Sequence, residues 1–202
     1  MIAPVIEIPV LPSRSIVLDP PLSDEEFEGL CQRTDFALLE RTREGTIVVN
    51  APAGGDTSSG NAEITRQLTN WWIQHRRGRV FDSSAGFFLP DGSVLSPDAA
   101  YATAEQVQNL TRDDRAHFLR LASAFLIELR SPTDSLPKCA KKMEAWIANG
   151  VQLGWLVDPY AKEVHIYEPN AATRVEAGSH VAGSGPVEGF ALDLEEIWRC
   201  YE

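Results

Sequence analysis

The sequence has no long apolar run, little sulfur, few histidines and no surplus of positive charge, and each shortage removes a class of protein. Its hydrophobic stretches, such as Ile47-Val48-Val49 and Phe125-Leu126-Ile127, fall far short of the roughly 20 residues a membrane helix needs. No membrane association is therefore expected. The N-terminus has no basic patch followed by an apolar segment, which argues against a signal peptide. Pro4, Pro9 and Pro12 suggest instead an extended arm over residues 1–20. The three cysteines, Cys31, Cys139 and Cys200, are odd in number and widely separated. They make neither a disulfide framework nor a Cys-x-x-Cys knuckle, and they read as free thiols of a cytoplasmic protein. The four histidines, His75, His117, His165 and His180, show no metal-ligand spacing. No serine sits in a Gly-x-Ser-x-Gly elbow, and Gly54-Gly55 and Gly60 are not followed by the Gly-Lys-Ser/Thr of a phosphate loop.

Acids outnumber bases, 29 to 18, for a net charge of −11. Proteins that grip duplex nucleic acid over many phosphates usually present a basic surface. A nucleic-acid function here requires locally concentrated cations or bound metal ions. Basic residues do cluster at His75-Arg76-Arg77-Gly78-Arg79 and between Lys138 and Lys142.

What is present fits one globular domain of 202 residues, 44% hydrophobic and 23% charged. Ser23-x-x-Glu26 is a capping box opening a helix through about Cys31. Phe36 to Arg41 and Thr46 to Asn50 form a hairpin turned at Glu44-Gly45, and Pro52 to Gly60 reads as a loop. A helix runs from Asn61 to His75 and ends at Gly78. Arg79 to Ser83, Gly86 to Leu89 and Val94 to Tyr101 are strands, and Thr111 to Leu121 is a helix. Phe125 to Leu129 suits a central strand buried on both faces. A helix follows from Ser135 to Ala148. Leu153 to Val157 pairs with Val164 to Tyr167, and the tail adds one or two strands and a helix from Leu194 to Tyr201. This α/β order implies a mixed sheet flanked by helices.

Two acids stand out. Asp98 follows Val94 and Leu95 in Ser96-Pro97-Asp98, and Glu128 closes the run Phe125 to Ile127 ahead of Leu129 and Arg130. A carboxylate beside core residues loses hydration unless a cation compensates it, and two brought together repel. A hard divalent ion such as Mg2+ or Mn2+ relieves both costs, because it prefers oxygen ligands. On spacing alone, an ordinary ion pair or strand-end solvation is the better reading.

Pro97-Asp98 followed by Glu128-x-Arg130 resembles the PD-(D/E)xK nuclease superfamily. More specifically, the chain resembles the Uma-two family of endonuclease-like proteins. The matching segments are GNAEITRQLTNWW, FDSSAGFFLPDGSVLSPDAAY, FLIELRSPTDSL, KMEAWIANGVQLGWLVDP and VEGFALDLEEIW, in that order. The resemblance implies a restriction-endonuclease-like fold, metal bound by Asp98 and Glu128 with the Leu129 carbonyl as a further ligand, and Glu63 as the helix acid near the site. The superfamily pattern has lysine where this chain has Arg130, which can stabilise phosphate charge but cannot usefully release a proton. Either metal-bound water needs no such help, or a lysine from the next helix takes that place. Its apolar stripe is Leu136, Cys139, Met143, Trp146 and Ile147; Lys142 flanks it and matches the family's Lys-Met pair. Asp98, Glu128 and Lys142 are expected to converge in one cleft. Trp71, Trp146 and Trp155 are assigned to the core.

These readings imply a metal-dependent endonuclease acting on nucleic acid, DNA before RNA. The alternative is a nuclease fold without catalysis, retained to bind protein or nucleic acid. A homodimer is expected, paired through a late hairpin bearing Tyr160, Val164, Ile166 and Tyr167 at the sheet's edge.

Overall fold

The structure, a computed structural model, describes residues 15–35 and 37–202. Most of the expected arm and Phe36 lie outside the described residues. Ser15–Ile16 (β1) pairs antiparallel with Ile47–Asn50 (β3), which in turn pairs with Leu38–Arg41 (β2) as the expected hairpin. Gly45 turns it with φ 82°, a left-handed conformation that glycine adopts without steric cost. Helix α1 (Asp24–Gln32) opens on the capping box read from sequence: Glu26 N–H donates to Ser23 Oγ at 3.2 Å, and Ser23 N–H donates to Glu26 Oε2 at 2.8 Å. Its Phe27 packs with Leu39, Ile47, Phe88 and Val94 on this smaller sheet, which also includes Phe87–Phe88 (β5) and Val94–Leu95 (β6) in the order β1-β3-β2-β6-β5.

Helix α2 (Gly55–His75) begins six residues earlier than expected, running through the glycines read as a loop. Packing explains it. A Cβ on Gly60 would sit 2.7 Å from Leu129 Cδ2, so only glycine lets this helix lie so close to the central strand. The helix ends at His75 as expected, but its left-handed C-cap is Arg76 at φ 54° rather than Gly78.

The larger sheet has the order β11-β10-β9-β8-β7-β4. Its strands are β4 (Arg79–Asp82), β7 (Ala99–Ala102), β8 (Phe125–Leu129), β9 (Leu153–Asp158), β10 (Glu163–Tyr167) and β11 (Arg174–Ala177). Every pairing is antiparallel except β8 with β9, which the crossover helix α4 (Leu136–Ala148) connects. Alternation along β8 sends Phe125, Ile127 and Leu129 toward α2, and Leu126 toward Met143 and Trp146 of α4. A two-stranded ribbon, β12 (His180–Ala182) with β13 (Ala191–Asp193), and helix α5 (Leu194–Arg199) complete the α2 side. Trp71, Trp146 and Trp155 are core residues, as expected.

Three expectations are corrected. Thr111 to Leu121 is not a helix: only a short 3-10 turn, Asp114–Ala116, forms there. The helix of this region is instead α3 (Ala104–Gln108), opened by a Thr103-x-x-Gln106 capping box that the sequence reading passed over. Val94 to Tyr101 is not one strand, because it breaks at Ser96-Pro97-Asp98 and passes from the smaller sheet to the larger. The hairpin containing Val164, Ile166 and Tyr167 is not an edge: β10 is paired on both sides, and those three side chains are buried. The edge strand is β11, where Arg174 pairs with Glu168 and Glu176, the kind of charge that discourages edge pairing. Three of the four residues expected to form a homodimer surface are therefore interior, and only Tyr160 is exposed. Among the described residues, no helix is long and apolar enough to cross a membrane.

Candidate functional site

The break between β6 and β7 builds the site. Continuing the register Ala99↔Ile127 by two residues would set Pro97 opposite Leu129. Proline has no N–H to donate, so the ladder cannot extend there. The Asp98 side chain takes over: its Oδ2 accepts the Leu129 N–H at 2.7 Å, and its Oδ1 accepts from Asn61 Nδ2 of α2 at 2.7 Å. Burial raises the Asp98 carboxyl above the usual carboxylate range, although the Leu129 N–H, Lys142 and Asn61 all pull it down.

Glu128 points to the opposite face from Leu129, toward α4. Its Oε1 accepts from Trp146 Nε1 at 2.9 Å and lies 2.9 Å from Lys142 Nζ. Burial pushes its pKa up to about 8; Asp98 and Glu40 push the same way and Lys142 opposes them. Lys142 reaches in from the flank of the α4 stripe, donating to the Ser96 carbonyl at 2.8 Å and pairing with Glu40 at 2.9 Å. Burial would lower the Lys142 pKa, but Glu128, Glu40 and Asp98 outweigh it and hold the group above the ordinary lysine range. Lys142 therefore remains an ammonium at neutral pH. It can stabilise negative charge, but it has no free pair with which to remove a proton.

Glu40, near the end of β2, was not singled out from the sequence. It is buried, its Oε1 accepts the Ser96 N–H at 3.0 Å, and its Oε2 accepts from Asn50 Nδ2 at 3.0 Å. The signal was available: Leu38-Leu39-Glu40 is an acid closing an apolar run, the pattern that drew attention to Glu128. Asn61 and the indole N–H of Trp146 were missed for another reason. A helix asparagine and a core tryptophan carry no local mark of the acids they meet.

Glu63 and Arg130 are not drawn into this cluster. Glu63 lies two residues from Asn61 on α2, so it faces a different side of the helix. Its carboxylate is held by Arg66 at 2.5 Å and by Gln67, which also bonds the backbone at Asp193. Arg130 lies past the end of β8 and turns to Asp158 Oδ2 at 2.7 Å and the Asp134 carbonyl at 3.1 Å. Lys138 pairs with Asp134. The exposed Arg76, Arg77 and Arg79 lie near the other end of α2, roughly 20 Å along the axis from Asn61.

Glu40, Asp98 and Glu128 thus share one ammonium, Lys142. With all three ionised the cluster is two positive charges short, a deficit that protonation of Glu128 only partly corrects. Its donors are hard oxygens, the type that Mg2+ and Mn2+ select. Among the described residues no group of three Asp, Glu, His or Cys side chains is ready to cage an ion. Magnesium does not need one, since it commonly keeps several waters and takes one or two carboxylates. The donor set fits.

Known proteins resemble the chain in both sequence and fold. The crystal structure of a "putative nuclease belonging to DUF820" from Anabaena variabilis superposes with a TM-score of 0.71 at 19% identity, over 90% of this chain and 100% of that one. That likeness establishes the fold, a mixed sheet with flanking helices. No protein with a curated description matches the sequence. Residues 24–195, which include every member of the cluster, match the Uma2 family, described as "Putative restriction endonuclease", and the chain belongs to that family.

Proposed function

We propose that this protein is a divalent-metal-dependent nuclease that hydrolyses phosphodiester bonds of nucleic acid, with DNA the expected substrate. The observation that carries this reading is the buried, charge-deficient cluster of Glu40, Asp98 and Glu128 around Lys142. Burying carboxylates without enough cations costs stability, and a fold that retains them gains when a cation binds.

Asp98, Glu128 and the main-chain carbonyl of Leu129 would hold Mg2+ or Mn2+, which lowers the pKa of an attacking water and polarises the phosphate. Asn61 and the Leu129 N–H fix the Asp98 carboxylate, and Trp146 fixes Glu128. Glu40 holds the Lys142 ammonium beside the acids, where it can meet charge developing on the scissile phosphate. Arg130, occupied by Asp158, serves the frame of the site. Glu63, occupied by Arg66 and Gln67, has no part in the chemistry.

Incubation with mixed DNA and RNA substrates in Mn2+ or Mg2+, beside calorimetric titration of the metal, tests the proposal. Metal binding and cleavage, both lost in Asp98→Asn, are the expected results. The pairing of Lys142 directly on Glu128 favours a second reading, in which the lysine is the site's own cation and the fold binds a partner without cutting it. Absence of metal binding in calorimetry would select that reading.

A further inference from the structure

Just beyond the end of β9, the strand beside β8 that carries Glu128, stands an exposed aromatic ring, Tyr160, with no part in the proposed chemistry. Tyr160 is the only exposed phenylalanine, tyrosine or tryptophan among the described residues, at 48%. An exposed tyrosine is ordinary by itself, but this one is anchored where it stands. Asp158 Oδ1 accepts the Tyr160 N–H at 3.0 Å, while Asp158 Oδ2 holds Arg130, whose guanidinium lies 5.3 Å over the Tyr160 ring. Arg130 is two residues beyond Glu128. Tyr160 also meets Tyr201 nearly at right angles, with ring centroids 5.8 Å apart. Tyr201 in turn lies against α2 at Gly60, where a Cβ would come within 3.4 Å of its ring, and the next residue is Asn61, the donor to Asp98. Tyr160 is thus linked through Arg130 to the strand of Glu128 and through Tyr201 to the helix of Asn61, and the residue stays 48% exposed.

The geometry points to Tyr160 as a shelf on which an unpaired nucleobase stacks, so that the site takes single-stranded nucleic acid in preference to duplex. This rests on the nuclease reading. Charge is the second argument. The chain carries −11, and three cations around the acids are already paired, Arg130 with Asp158, Lys138 with Asp134, and Lys142 with Glu40 and Glu128, which leaves Lys141 as the one exposed lysine of α4 without an ion pair among the described residues. The exposed arginines at the far end of α2 lie roughly 20 Å off. Duplex binding over many phosphates draws its affinity from cations. Stacking draws on the π-face that every base has and needs no positive surface.

The test is fluorescence anisotropy of one labelled sequence in calcium buffer with the full chain, offered as single-stranded DNA, as single-stranded RNA and as duplex DNA. At least one single strand should bind more tightly than the duplex, and the pair of single strands tells which sugar is accepted. Its affinity should fall with log salt at a slope near −1 to −2, the mark of few phosphate contacts. Tyr160→Ala should weaken single-strand binding roughly tenfold, the scale of one lost stack, while Tyr160→Phe keeps it. Matching melting curves for the three proteins exclude a folding defect. Preference for duplex, no binding of any probe, or equal affinities of parent and Tyr160→Ala would each overturn the inference. Metal-dependent cleavage of duplex unaffected by Tyr160→Ala would leave the nuclease reading standing and remove this one. Tyr160-dependent strand binding without cleavage or metal uptake would do the reverse.

Discussion

Asp98 Oδ2 and the Leu129 N–H lie 2.7 Å apart, a side chain completing a sheet that the backbone beside it cannot continue. Pro97 interrupts β7, and the carboxylate that follows caps the freed end of β8. On the proposed function Asp98 is structural and chemical together, which shapes what its substitution does.

Asp98→Asn keeps an acceptor for Leu129 and removes a buried charge. Without metal, its melting temperature should equal or exceed the parent's, since like-charge repulsion is relieved. Glu128→Gln should behave the same way. Cleavage should fall at least about 10²-fold in each, the scale seen when one electrostatic contributor leaves an active site. Melting curves with and without magnesium check the assignment. Parent-like stabilisation of either variant by metal would remove that residue as a ligand.

The raised pKa of Glu128 predicts a pH dependence of stability. A carboxyl with a folded pKa of about 8, above its ordinary 4.5, binds its proton more tightly when folded. Its contribution is fully present below about pH 4.5 and is lost as pH rises through 8. Asp98, shifted in the same direction, adds to the effect. Urea unfolding of the metal-free protein should show stability declining across this window, with a shallower decline in Glu128→Gln. Saturating magnesium should offset the loss in the parent. Stability that rises over the same range would contradict the assignment.

Lys142→Met removes the only ammonium among three buried acids. Stability at pH 8 should drop by about 3–5 kcal/mol, the usual cost of orphaning buried charge. Acidification should recover part of it, because the acids can then take protons. A loss that is independent of pH would mean that packing of the lysine stem, not its charge, was removed.

Arg130→Ala should destabilise without touching metal affinity. Asp158, 1% exposed, would lose its partner at a cost of about 3–5 kcal/mol, softened by the N–H bonds it keeps from Tyr160 and Ala161. Calorimetric magnesium titration of the folded variant should match the parent. A tenfold or larger weakening would place Arg130 in the metal site's electrostatics after all.

Local chemistry made much of the molecule legible in advance. The capping box at Ser23, the hairpin at Gly45, the apolar run of β8 and the Lys142-flanked stripe of α4 each depend on residues within a turn or two of one another. So does the pattern of an acid closing an apolar run, which marks Glu128 and would have marked Glu40. Some errors were local oversights, such as the Thr103-x-x-Gln106 capping box, and others arose where distant residues prevail. Gly54, Gly55 and Gly60 read as loop, yet they lie in or cap α2, because the helix must press against Leu129 and Tyr201.

The sequence by itself determined most of the elements and the family, and it singled out Asp98 and Glu128, because each of these rests on periodicity or on an ordered set of motifs. Only the tertiary structure decided how those acids are served. It brought Glu40 from the smaller sheet onto Lys142, aimed Asn61 and Trp146 at the carboxylates, and gave Arg130 to Asp158 and Glu63 to Arg66. Those partners lie far apart in the chain or on different faces of one helix. Their pairing depends on which face of each element the core claims, and that follows from packing all of them at once.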